Sequence, residues 1–241
     1  MPKFSATSRS TEPEIMDSFS LQGKEMEQLL TDLKTVNSLL GGTAITLSGL
    51  SKLLKHHDNK RPITIIDFGC GDGEMLRQCA KFGQQNGYTF NLIGIDANPH
   101  ILEEAKNRSD TYDNIQFQKK DVFSKKKELP ECDVALCTLF LHHFAKDDIQ
   151  YLLKKIAAIT KAGIIINDLQ RSSIAFQLFK LFGKTFLRTK IARHDGLVSI
   201  ARGFTKNELE AMIETIPRTE VQIHWKWAFR FQAIIKTHAS L

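Results

Sequence analysis

Apolar residues recur along this chain with two different periods, and the architecture changes where the period changes. From residue 15 to 57 the period is helical. Met26, Leu29, Leu30, Leu33, Val36 and Leu40 fall at three- and four-residue steps, and Gly41–Gly42 ends that helix. A second stripe, Leu47, Leu50, Leu53 and Leu54, follows Thr43. The polar stretch 56–61 and Pro62 mark a boundary. Beyond it, short apolar runs at Ile63–Asp67, Asn91–Asp96, Ile115–Gln118, Cys132–Cys137 and Ala162–Asn167 predict strands. Helices are predicted between them. They start at Glu74, at Asn98–Pro99 (an N-cap followed by proline in the first turn) and at Asp147–Asp148, the last with Ile149, Leu152, Leu153 and Ile156 as its buried stripe. Strands alternating with helices predict the α/β class, a mostly parallel sheet covered on both faces.

The last third departs from this rhythm. Residues 173–187 are apolar almost all round, with Phe176, Phe179, Phe182 and Phe186. The stretch RHDGLVSIARGF (193–204) reads as a loop with a short strand. Thr205 and Glu208 form a capping box for a helix reaching Ile216, stopped by Pro217. From Val221 to Ile235 every odd position is apolar, too long a run for one strand, which predicts two antiparallel strands with a turn near Trp227–Phe229. The expected organisation is one domain over 1–241 with a seven-stranded sheet. It comprises a helical cap (15–57), a core (62–170), a lid insertion (171–204) and a terminal helix and strands (205–241).

With 42% hydrophobic and 25% charged residues in 241, the chain has the composition of a globular protein with a sizeable core, not of a disordered or collagen-like one. No run of 18 apolar residues predicts a membrane span, and the first residues lack the pattern of a signal peptide. Cys70, Cys79, Cys132 and Cys137 form no CxxC pair, so reduced thiols and a cytoplasmic protein are expected. The net charge of +6 is unevenly spread. Residues 171–241 hold 12 basic and 5 acidic groups, while the rest is nearly neutral. No basic motif or stripe with interleaved aromatics indicates nucleic acid. The excess points instead to an acidic partner, an anionic acceptor or peripheral contact with a membrane surface. The run Lys125–Lys127 reads as a solvated loop.

The strongest chemical signal is IIDFGCGDGEML (65–76), in which a strand ends at Asp67, then Gly69, Gly71 and Gly73 alternate before a helix. Glycines let the chain turn sharply and let a ligand approach the backbone. A dinucleotide loop requires GxGxxG, with a pyrophosphate at the helix N-terminus. Here the pattern is GxGxG, and Asp72 and Glu74 would repel a phosphate. A cationic or zwitterionic nucleoside fits better. Further along, Asp96 ends the second strand in LIGIDANP (92–99), and Asp121 follows the third in KKDVF (119–123).

Together these three motifs resemble those of the class I S-adenosylmethionine-dependent methyltransferases, over about residues 60 to 170. The resemblance implies a Rossmann-like sheet with an antiparallel terminal strand and S-adenosyl-L-methionine as cofactor. It implies that Asp96, with Ala97 beside it, binds the ribose hydroxyls, and that Asp121 and the Val122 backbone hold the adenine. Asp67, Gly69, Cys70, Gly71 and Gly73 would then form the cofactor loop. Cys137, Thr138 and Leu139, at the end of the fourth strand in ALCTLFLHHF (135–144), should face its methionine end. His142 and His143 follow at once, and His194 stands in RHDG. These three are the candidate bases, His143 first, for an acceptor that must lose a proton. No metal is expected, since no third donor stands at ligand spacing.

The segments EPEIMDSFSLQG (12–23), NSLLGG (37–42), NDLQRS (167–172) and RHDGLVSIARGFTKNEL (193–209) resemble bacterial small-molecule methyltransferases. That group is related in character to quinone-biosynthesis methylases and is often associated with type III polyketide synthases. This implies O- or C-methylation of a small, apolar, phenolic or polyketide-like acceptor, free or carrier-bound. Two other readings remain open at this stage: a cofactor-binding protein acting through a partner without catalysis, and a nicotinamide-dependent oxidoreductase.

Overall fold

The computed structural model describes residues 2–19, 21–55, 61–124, 128–217 and 219–237, so Lys125–Lys127 and most of the polar stretch after residue 55 lie outside the described residues. Seven strands form one sheet: β1 (Ile63–Phe68), β2 (Phe90–Asp96), β3 (Ile115–Lys119), β4 (Cys132–Thr138), β5 (Thr160–Leu169), β6 (Thr219–Lys226) and β7 (Arg230–Thr237). Their order is β3-β2-β1-β4-β5-β7-β6. The first five pair in parallel, and β7 runs antiparallel to both β5 and β6. The order reverses between β1 and β4. Open parallel sheets bind ligands in the crevice that forms beyond the strand ends at such a point.

Alternation along the strands sends successive side chains to opposite faces. Ile63 and Ile65 of β1 and Val134 and Leu136 of β4 pack with Leu50 and Leu54 of helix α2 (Gly42–Leu54) and with Leu76 and Cys79 of α3 (Glu74–Asn86). Ile66, Phe68, Ala135 and Cys137 pack on the other face, with Ile149, Leu152 and Ile156 of α5 (Lys146–Ile159) and Leu209 and Met212 of α8 (Lys206–Ile213). The helix α4 (Pro99–Arg108) is capped by the Asn98 side chain, and α8 by the Thr205–Glu208 box. Both capping interactions were expected from the sequence. The second N-terminal helix, α2, belongs to the sheet's own covering layer and not to a cap: at Gly49 it comes so close to β5 that a Cβ would lie 3.0 Å from Ile165.

A third apolar cluster lies over the strand ends. It joins Met26, Leu29 and Leu30 of α1 (Gly23–Leu39), Ala175, Phe176 and Phe179 of α6 (Ser173–Phe186), and Ala192, Leu197, Ile200 and Ala201 of α7 (Lys190–Arg202). Helix α7 corrects the expectation of a loop with a short strand over 193–204. The segment carries no amphipathic stripe because it is buried on most sides, including its polar residues Asp195 and Arg202. Gly196 suggests a break, but it is a packing residue: a Cβ there would meet the Phe179 ring at 2.2 Å. Thr189 caps the helix, and its backbone N–H, its hydroxyl and the Arg188 N–H all donate to the buried Asp32 carboxylate of α1. On the outer side of α6, Ile174, Leu178, Leu181 and Phe186 are each more than half exposed.

The terminal hairpin turns without glycine, asparagine or proline. Ala228 and Phe229 take up left-handed φ values of 57° and 54°. Two consecutive L residues in this region cost about 1–2 kcal/mol each. They match the twist of a two-residue hairpin at the expense of local strain.

The helical assignment of 190–202 has a test of sign. In a free loop or an exposed helix, Gly196→Ala would be neutral or stabilising. Against the Phe179 ring it is expected to destabilise by about 1–3 kcal/mol, measured by urea denaturation.

Candidate active site

The strand ends, α1, α6, α7 and the hairpin turn enclose a cavity of about 720 Å³. The four non-glycine residues with left-handed φ among the described residues are Phe19, Leu139, Ala228 and Phe229, and all four line it. Backbone strain of this kind collects at functional sites, where the surrounding structure holds it in place.

On the nucleoside side the walls are the loops after β1, β2 and β3. Gly71 has φ +52°, and a Cβ there would meet nothing within 4 Å, so its open face is available to a ligand. Its N–H donates to Asp96 (3.1 Å), and the other oxygen of the same carboxylate accepts the Asn98 N–H (2.9 Å). Burial raises the Asp96 pKa. Asp121 lies at the rim and accepts the Phe123 N–H, with Val122 buried beside it. Asp67 is buried, and its Oδ1 has no hydrogen-bond partner. Burial, and then the neighbouring Asp96, push its pKa up to about 8. A buried acceptor without a donor favours a positively charged ligand. These features fit the sulfonium nucleoside implied by the sequence. Asp72 and Glu74 are not free charges, however. Arg77 pairs with both and Arg108 with Asp72, so their repulsion of a phosphate is weaker than the sequence implies.

Most of the residues nominated for the cofactor line this cavity: Asp67, Gly69, Cys70, Gly71, Asp96, Ala97, Asp121, Val122, Thr138 and Leu139. Two do not. Strand alternation turns Cys137 into the core beneath α5 and α8. Gly73 holds the αL start of α3, where a Cβ would strike Phe117 at 2.6 Å.

The three histidines part company. His142 is buried between two carboxylates, with Nδ1 2.7 Å from Asp168 and Nε2 3.3 Å from Glu14. Burial alone would lower its pKa, but Asp168 and Glu14 overcome it and raise the value to about 9. Burial opposes the ionisation of Glu14 too, yet His142 and His143 bring it down to about 2. His142 is therefore a fixed imidazolium at neutral pH, which removes it as a base. His194 is absent from the cavity wall and is held by Asp195 (2.9 Å) and Glu12 (3.3 Å). His143 does line the cavity, its Nδ1 oriented by Asp17 at 3.2 Å.

Sequence reasoning missed Glu14, Asp17, Asp195, Ser199 and Arg202. Asp195, Ser199 and Arg202 stand at i, i+4 and i+7, one face of α7, and that face grips the N-terminal strap (residues 2–19). Asp195 accepts the Ile15 and Met16 N–H groups, Ser199 donates to Glu14, and Arg202 donates to the carbonyls of Glu12, His142 and His143. Glu14 also supplies the third donor that the sequence lacks at ligand spacing: its ligand atom and those of His142 and His143 lie within 4.8 Å of one another.

Comparison with known proteins agrees with this geometry. Residues 65–163 match the methyltransferase domain family, a segment running from β1 into β5 that contains the glycine loop, Asp96 and Asp121. A protein of Streptomyces fradiae, an uncharacterised 37.1 kDa product of transposon TN4556, is 25% identical over 146 residues. That alignment spans 61% of this chain and 41% of the relative's length. Among solved structures, the plantazolicin methyltransferase BamL, in complex with a triazolic desmethylPZN analog and SAH, superposes with a TM-score of 0.69. It is 11% identical over 92% of this chain and 94% of its own. Its counterpart BpumL, with SAH, gives 0.65 at 16% identity, covering 87% and 90%. The magnesium protoporphyrin IX methyltransferase of Synechocystis PCC 6803, with bound SAH, gives 0.57 at 12%, covering 86% and 87%. At these identities the likeness speaks for the fold. Residues 65–163, under half of the chain, carry the methyltransferase-domain match, and the fold is shared with methyltransferases solved with SAH.

Two outcomes follow from the electrostatics. Asp67 is protonated below about pH 8 in the free protein, and a cationic ligand favours its anion. Binding of S-adenosylmethionine should therefore release a proton and tighten as pH rises toward 8. Calorimetry in two buffers of different ionisation enthalpy measures the release, and Asp67→Asn should abolish it. The second concerns His142, whose pKa is raised from 6.5 to about 9 on folding. The stability it contributes is complete below pH 6.5 and is lost as pH rises through 9. The advantage of the wild type over His142→Gln in urea denaturation should shrink across that window.

Proposed function

We propose that this protein transfers a methyl group from S-adenosylmethionine to a small, largely apolar, phenolic or polyketide-like acceptor, at oxygen or carbon. The observation that carries the reading is one cavity with two unlike ends. One end has the glycine loop and the carboxylates Asp67, Asp96 and Asp121. The other has the aromatic wall of Phe179, Phe182, Trp225, Trp227 and Phe229, with His143 between them in chain topology.

When bound, the cofactor supplies a methyl on a positively charged sulfur that leaves as a neutral thioether. Asp96 would accept hydrogen bonds from the ribose hydroxyls, Asp121 and Val122 would hold the adenine edge, and Asp67 would balance the positive end. The chain's main catalytic contribution is then alignment, since proximity and orientation alone lower such barriers substantially. The strap and α7 close the acceptor end and exclude water. His143 supports proton removal: Asp17 engages its Nδ1 and fixes the ring orientation, as a carboxylate does for a catalytic imidazole.

The apolar outer stripe of α6, with Lys180 and Lys184 beside it, is where an acceptor dissolved in a lipid surface would be met. In this reading the protein is cytoplasmic, in keeping with its four buried, unpaired cysteines.

Calorimetry separates the readings. S-adenosylmethionine and S-adenosylhomocysteine should bind while NADH does not, and Asp96→Ala should weaken S-adenosylhomocysteine by on the order of 100-fold through loss of two charge-assisted bonds. Failure of both sulfur nucleosides to bind the folded protein would sink the proposal. Across a panel of phenols, His143→Ala should lower methyl transfer by about 10²- to 10⁴-fold with nucleoside affinity intact. Full turnover in that variant would remove the base.

A further inference from the structure

Arg230, the first residue of β7, is 1% exposed, yet it lines the cavity. One nitrogen, Nη2, donates to Asn37 at 3.1 Å, while Nε and Nη1 have no hydrogen-bond partner. A buried guanidinium with two unmatched donors is an expensive arrangement. Its burial lowers the pKa to about 10, with the Asp168 charge opposing the shift. The other cations of the wall are already engaged. Lys34 pairs with Glu74, Lys120 donates to the Glu128 carbonyl, and His142 lies between its two carboxylates.

The backbone holds the arginine in place at a cost. The two residues before it are the strained Ala228 and Phe229, and its neighbour Gly42 leaves the guanidinium no slack, since a Cβ there would stand 3.0 Å from Nη1. Strain beside a cation with free donors, in the wall of an apolar cavity, is the pattern of a ligand anchor. The residue also stands away from the nucleoside loops: in strand order β7 is separated from β1 by β4 and β5, and its immediate neighbours along the chain are the lining residues Trp227, Ala228 and Phe229.

From this we infer that Arg230 anchors an acidic group, a carboxylate or equivalent oxyanion, carried by the methyl acceptor. The acceptor is then an aromatic or polyketide-like acid, its apolar body against Phe179, Phe182 and Phe229 and its acid on the guanidinium, whose unpaired Nε and Nη1, covered in this structure, turn toward the cavity to meet it. This deepens the methyltransferase reading and rests on it. An arginine presents its donors in a planar fork that matches a carboxylate in two parallel bonds, which a neutral amide or ester of the same shape cannot reproduce.

The test uses 6-hydroxy-2-naphthoate and its neutral amide as probes on protein saturated with S-adenosylhomocysteine. Binding is followed by calorimetry and by fluorescence of Trp225 and Trp227, the two tryptophans of the chain, both in the cavity wall. The acid should bind at least about tenfold more tightly than the amide. Arg230→Gln should abolish that preference by weakening the acid alone, and Arg230→Lys should keep part of it. S-adenosylhomocysteine affinity, measured separately on each variant, should be unchanged. Equal affinities for acid and amide in the wild type would overturn the proposal whether or not the variants fold. So would a preference that survives Arg230→Gln, or a parallel loss of S-adenosylhomocysteine, which would assign the guanidinium to the cofactor's own carboxylate. Failure of S-adenosylhomocysteine to bind the wild type would instead count against the methyltransferase reading, a separate result.

Discussion

The active-site half of this protein is organised around one buried ion pair system, His142 between Asp168 and Glu14. Asp168 is the penultimate residue of β5, His142 sits in the turn after β4, and Glu14 belongs to the N-terminal strap, so a single imidazolium ties the sheet to a segment more than a hundred residues away. Asp168 also accepts the N–H groups of Leu141 and Leu169, and Glu14 accepts the Ser199 hydroxyl of α7. Buried charges are tolerable only when each is paired and hydrogen-bonded, and here every member meets that condition. Removing His142 would leave two buried carboxylates without their shared cation. The strap, α7 and the ends of the strands are therefore constrained as one unit around the cavity.

Within that frame the cavity is electrostatically polarised. Its nucleoside end carries carboxylates, one of them with its pKa pushed up by burial, and its far end carries a guanidinium with two unpaired nitrogens. Satisfied charges serve structure in this molecule, and unsatisfied ones mark where a ligand's own charge would complete the balance. The strained backbone follows the same geography: Leu139 stands just after β4, Ala228 and Phe229 before Arg230, and Phe19 where the strap meets the wall. The far end of the cavity is lined broadly by aromatic side chains, Phe179, Phe182 and Phe229 among them.

How much of this was legible depended on the range of the interactions involved. The five parallel strands, the glycine loop, Asp96, Asp121 and the capping box at Thr205 are written in local signals, namely alternation, turn residues and caps a few positions apart. Cys137 was misplaced because its side of the strand depends on which face covers it, and Gly73 because a structural αL glycine looks like a ligand-binding one. Helix α7 was misread for a related reason. Amphipathic periodicity reveals a helix only when one face meets water, and α7 is covered on nearly all sides, with Gly196 chosen for the Phe179 ring and not for a turn.

By itself, then, the sequence determined the α/β class, the crevice at the strand ends and the kind of nucleoside it suits, because backbone periodicity and glycine conformations act over a few residues. How each histidine is held was a tertiary decision. Three looked equivalent in the sequence, and only the carboxylates folded against them, Asp168 with Glu14, Asp17, and Asp195 with Glu12, distinguish a fixed cation, an oriented imidazole and an outer contact. The same holds for Arg230, an ordinary strand residue until α1, α2 and the hairpin bury it. Charge acquires meaning from what surrounds it, and in this chain the decisive neighbours come from opposite ends of the sequence.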